Sequence, residues 1–134
     1  MNQEVLEPSK DARQWAMFCH LAGFLAWVFP FGNIIGPLVL WSIKKKEYPF
    51  VNLEGKESLN FQLSFTLYSL MFVLVYLLGV MGILFKSLAV FFAIIYSILC
   101  LALFGTYIIS MVVAAIKTYK GNSFRYPLII RFIK

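Results

Sequence analysis

His20 is the only histidine in the chain and lies seven residues past Arg13, inside the first apolar run. An imidazole at that depth is a functional candidate by default, as a general base or a proton carrier. The alternative is a neutral ring hydrogen-bonded to a neighbouring helix, since catalysis needs an orienting carboxylate or a nucleophile close by. Glu57, Asn60, Ser64 and Tyr68 are spaced by three, four and four residues, which puts them on one stripe of a helix. Such a stripe either lines a polar groove or hydrogen-bonds between membrane helices. Asn60 is four residues past Lys56. At 1.5 Å per residue it and His20 each lie roughly 6 to 10 Å below their last basic neighbour. Equal depth predicts that His20 hydrogen-bonds the side chain of Glu57 or Asn60, and with Glu57 the pair would form a pH-sensitive latch.

A second constellation is backbone chemistry. Pro30, Gly32, Asn33, Gly36 and Pro37 fall within eight residues, too many breakers for one continuous helix. Free backbone groups at such a break bind substrates or ions in transporters, but there an inverted repeat accompanies them, and this chain has none. The reading is therefore a turn. No catalytic residue, cofactor site or metal site is assigned: there is no phosphate loop and no carboxylate pair suited to hydrolysis. Cys19 and Cys100 stand singly in apolar runs, without C-x-x-C spacing.

The elements that must position these residues follow from composition. The chain has 134 residues, 61% of them hydrophobic and 13% charged, too few charges to cover a soluble domain of this size. The expected fold is all-α, a single integral membrane domain of about four helices: a short hairpin broken by Pro and Gly, then two long helices. Residues 1–10 read as a mobile cytoplasmic tail. The first helix starts at Ser9 or Asp11 and runs to about Phe29. The second, from Ile34 or Pro37 to Ile43, covers roughly 15 to 20 Å, short of the roughly 30 Å hydrocarbon core. Residues 44–56 form a charged hinge in which Pro49 blocks a helix and Asn52 caps the next one. A helix then runs from Asn52 to Gly79, a tight hairpin spans Met81 to Ser87, and a last helix capped by Ser87 continues to Tyr119. The tail, residues 121–134, alternates basic with aromatic and aliphatic residues, as a segment lying among lipid headgroups does.

Charge sets the partners and the orientation. The net charge of +6 sits at the edges of apolar segments, which fits an anionic leaflet and not a nucleic acid. A hairpin over residues 15–43 puts eleven of the twelve Lys and Arg on one side, leaving Lys86 on the other. Both termini and the hinge are thus expected to be cytoplasmic in a multi-pass protein of a bacterial plasma membrane. The N-terminal stretch resembles neither a signal peptide nor a transit peptide.

Four blocks carry a resemblance: W-A-M-F-C-H (Trp15 to His20), P-F-G-N-I-I-G-P-L-V-L-W (Pro30 to Trp41), P-F-V-N-L-E-G-K-E-S-L-N-F-Q-L-S (Pro49 to Ser64) and Y-K-G-N-S-F-R-Y-P (Tyr119 to Pro127). In order and spacing they resemble a bacterial family of small membrane proteins grouped with the Tic-twenty-like proteins. That resemblance implies about four membrane helices, and its plastid members belong to protein import machinery. The functional expectation is a non-enzymatic scaffold, or part of a passage for polypeptide or small solute, working with further copies or another membrane protein. Two alternatives are a stand-alone transporter or channel lined by the stripe through Asn60, and a lipid-modifying enzyme in which His20 and Glu57 meet in a cleft open to headgroups.

Overall fold

The computed structural model describes residues 7–81 and 86–134, and all of its regular elements are helical. Ser9 caps the first helix, α1 (Lys10–Leu21), by accepting from the Ala12 amide at 3.2 Å. The helix does not run to Phe29: the chain tightens at Ala22 into a 3-10 segment, Ala22–Trp27. The reversal is made by Phe31, whose φ of 60° is left-handed, and α2 (Gly32–Lys44) returns along the 3-10 segment.

The break is thus sharper and earlier than the breakers suggested. Asn33 is in the first turn of α2, and Gly36 and Pro37 lie inside the helix, buried. Pro37 is the sixth residue of α2, past the first four amides that lack helical partners, so the helix gives up there the bond a residue-37 amide would make to the Asn33 carbonyl. The glycines serve close approach. A Cβ on Gly32 would overlap the Leu25 carbonyl, and one on Gly36 would lie 2.7 Å from the Ala22 carbonyl oxygen. Gly32→Leu and Gly36→Leu are each expected to lower the folded yield, since the obstacle is backbone that cannot swing aside and overpacking costs about 1 to 3 kcal/mol or more. Size-exclusion chromatography of the detergent-solubilised variants checks this, and parent-like yield from both would contradict a close-packed hairpin.

α3 (Pro49–Met81) starts three residues before the expected Asn52. Proline suits a first helical position because no partner exists there for an N–H. Asn52 is not a cap: its side chain accepts from Trp41 Nε1 at 3.0 Å, tying α2 to α3. In the hinge, Lys44 Nζ and Glu47 pair at 2.6 Å. Hydrogen bonds from Lys44 and then Tyr48 hold the Glu47 carboxyl below its ordinary range. α4 (Lys86–Tyr119) contains Ser87 within its first turn instead of being capped by it, and ends before Gly121, whose φ is +86°. The expected hairpin from Met81 to Ser87 falls largely outside the described residues, as does most of the expected mobile tail.

At 33 and 34 residues, α3 and α4 are each about 50 Å long. The first hairpin reaches only halfway along them: Asn33 Nδ2 donates to Thr66 Oγ1 at 2.9 Å, and the Trp27 ring meets Phe104. Packing concentrates on that half. Ala16, Cys19 and Val51 form one buried cluster with Trp15, Leu40 and Trp41 around it. Phe61, Tyr107, Met111, Ala114 and Tyr126 form the other. Beyond it α3 and α4 touch through Tyr96, whose ring packs on Phe72 and Tyr76.

Candidate functional site

The stripe on α3 is covered by the C-terminal segment. Residues 123–134 adopt neither helix nor strand, so their amides and carbonyls need partners from elsewhere. α3 supplies them. The Phe124 amide donates to both oxygens of Glu54 at 3.3 Å, and the Tyr126 amide to Glu57 Oε1 at 2.9 Å. Farther down, the Tyr68 hydroxyl donates to the Leu128 carbonyl at 3.0 Å. The chain turns back at Leu128, where φ is 56°, and climbs the same helix. The Ile130 amide donates to Ser64 Oγ at 2.9 Å. Asn60 grips Ile133 twice, accepting from its amide at 2.8 Å and donating to its carbonyl at 2.9 Å. Lys56 Nζ donates to the Lys134 carbonyl oxygen, and Arg131 lies 3.6 Å from Glu57. The segment is a looped strap, held by its backbone on helical side chains.

Glu57, Asn60, Ser64 and Tyr68 therefore share one stripe as their spacing required, but they neither line an open groove nor bond helix to helix. The expected headgroup-lying tail is this strap, with Tyr126 buried and Leu128 fully outward.

His20 occupies the head of the strap and is completely buried. Its Nε2 lies 3.2 Å from Glu54 Oε2 and its Nδ1 lies 3.0 Å from the Tyr126 hydroxyl. With the proton on Nε2, the ring donates to the carboxylate and accepts from the phenol, so a neutral imidazole satisfies both partners. The expected bond to Glu57 or Asn60 is not made, because both ring nitrogens are taken. The partner on α3 is Glu54, one turn nearer the hinge than the Glu57 to Asn60 turn that the matching of depths pointed to. The second partner comes from the tail, which the comparison of depths had left out. Glu54 was legible as the stripe's next position, three residues before Glu57.

Around this triad the core is aromatic. The rings of Phe61 and Tyr126 stack at 3.9 Å, Phe65 and Tyr107 at 4.0 Å, and Phe124 meets Tyr126 edge-on. Buried Gln62 accepts from the Tyr107 hydroxyl at 2.7 Å. Every buried side-chain nitrogen and oxygen among the described residues has a hydrogen-bond partner. No group of three or more His, Cys, Asp and Glu among the described residues is arranged to hold a metal ion.

Two helices are long and apolar enough to cross a bilayer, Pro49–Gly79 and Val90–Tyr119, and their most apolar stretches are only 11% and 22% buried, unlike the mostly buried core helix of a soluble protein. With the strap satisfying an irregular backbone beside them, the class is an integral membrane helical bundle. The chain belongs to the magnetosome magnetite crystal formation protein family (MamF/MmsF), whose family model matches residues 11–133. This corrects the resemblance to Tic-twenty-like proteins: the match spans the four blocks that carried it, so those blocks mark this family. No curated protein and no solved structure matches the chain.

Proposed function

We propose that the chain is a non-enzymatic structural component of the membrane in which magnetite crystals form, acting by holding a fixed shape and not by turning over a substrate. One observation carries this reading: the buried polar constellation is closed on itself. His20, Glu54, Glu57, Asn60 and Ser64 spend their hydrogen bonds on each other and on the strap. The strap covers the stripe that a solute path would use, and His20 is fully buried, which supports a structural role over transport or lipid chemistry. The family's description supplies the process, magnetite crystal formation. The basic end faces anionic headgroups, and the uncovered apolar faces of α3 and α4 suit lipid, further copies or another membrane protein.

The test is genetic. In a magnetite-forming bacterium that carries this chain, its removal is expected to leave crystals smaller or irregular by electron microscopy, and re-expression to restore them. Unchanged crystals in the deletion strain would reject the proposal.

The orientation proposed from charge puts both termini and the hinge in the cytoplasm. A half-length hairpin returns the chain to the side it entered, in keeping with that. Lys45→Cys on a cysteine-free background should resist an impermeant thiol reagent added to intact cells and react after the membrane is opened. Labelling in intact cells would reverse the orientation.

A further inference from the structure

We propose that the protein is a wedge for one leaflet, favouring a membrane that is convex toward its basic end. The argument starts from where the hydrocarbon must lie. α3 carries no charged residue from Ser58 to Met81, and α4 none from Val90 to Ile116. These stretches are about 36 and 40 Å long, and the roughly 30 Å core fits within them. Thr66, where the hairpin tip is tied, is about 12 Å beyond Ser58, and Phe104, where Trp27 packs, is about 18 Å beyond Ile116. The tip of the first hairpin therefore stops near the bilayer midplane. The strap stops there too, since its apex at Leu128 is held by Tyr68.

The two leaflets consequently meet different cross-sections. At the basic end the chain presents α1 with its 3-10 extension, α2, α3, α4 and both arms of the strap. In the other half only α3 and α4 remain among the described residues, with residues such as Val75, Leu78 and Leu101 exposed by 60% or more. At a helix diameter of about 10 Å each element occupies roughly 80 Å², so the basic-side leaflet accommodates an excess of about 160 Å² from the hairpin alone, and more with the strap. Lipid cannot follow such a step without strain, and bending the sheet toward the narrow side relieves it. The step is held rigidly: Gly32 and Gly36 press the hairpin together, Asn33 pins its tip, and Asn60, Ser64 and Tyr68 pin the strap.

Narrow tubes drawn from giant vesicles test this with the full wild-type sequence and no iron, so the result stands apart from the crystal experiment. The protein is reconstituted into phosphatidylcholine with a minority of phosphatidylglycerol. A fluorophore placed selectively on the N-terminal α-amine, and not on Lys86 at the opposite end, is quenched by an impermeant reductant to count molecules whose basic end faces out. The expected result is a ratio of protein density, tube over flat membrane, above one for molecules with the basic end outward and below one for those with it inward. Equal densities in both orientations would overturn the wedge, and so would enrichment independent of orientation, which a one-sided shape cannot produce.

Discussion

Glu54→Ala is expected to destabilise the protein by about 3 kcal/mol, because one carboxylate serves the buried His20 ring and the part-buried Phe124 amide together. It removes the acceptor for His20 Nε2 and for the Phe124 amide at once. Each orphaned buried donor costs about 1 to 3 kcal/mol. His20 would also lose the contact that fixes its tautomer and, with it, the acceptor for the Tyr126 hydroxyl. Glu54→Gln keeps one acceptor oxygen and should lose less than half as much. Thermal unfolding in detergent measures the difference, and limited trypsin digestion at Arg125 and Arg131 reports whether the strap has loosened. A Glu54→Ala protein that unfolds with the parent and resists trypsin equally would show that the triad contributes nothing to holding the strap.

Ending the chain after Ser123 should have the larger effect still. Without residues 124–134, the side chains of Glu54, Glu57, Asn60 and Ser64 lose the backbone groups they serve and face lipid or a collapsed gap. The Phe61 ring loses the Tyr126 ring stacked on it. Four uncovered polar groups at about 1 to 3 kcal/mol each are comparable to the whole stability of a typical domain, about 5 to 15 kcal/mol. The shortened protein is expected to aggregate or be degraded in the membrane, and adding residues 124–134 as a separate peptide should recover part of the folded fraction. A truncated protein that elutes as the parent does by size-exclusion chromatography would mean that the stripe has another cover.

The helices were legible from the chain because lysines and acids bracket them and because Pro and Gly crowd between Pro30 and Pro37. The exact site of the break was not. An aromatic residue, Phe31, takes the left-handed turn, and the adjacent glycines are required by contacts with Leu25 and Ala22 that no local pattern records. Glu57, Asn60, Ser64 and Tyr68 were found by helical spacing, which is a local property. What they hold was hidden, because a strap bound through its backbone leaves no periodic signature in its own residues. S-F-R-Y-P-L-I-I-R-F-I-K reads equally well as a headgroup tail. Tyr126 was missed for the same reason: its partner on α1 is 106 residues away, and a single phenol in an aromatic-rich tail does not stand out.

The strap also imposes an order in time. Ser64 and the Ile130 it holds are 66 residues apart. At a synthesis rate of about 5 to 20 residues per second, roughly 3 to 13 seconds separate their emergence. Throughout that interval Glu57 and Asn60 lack the strap groups that hold them, and Ser64 keeps only its bond to the Asn60 carbonyl. Each molecule therefore remains a substrate for membrane quality control until residues 123–134 arrive. Ribosomal stalling or a frameshift before the strap is made would leave that vulnerable surface in place, so arrival of the strap is itself the signal that protects it.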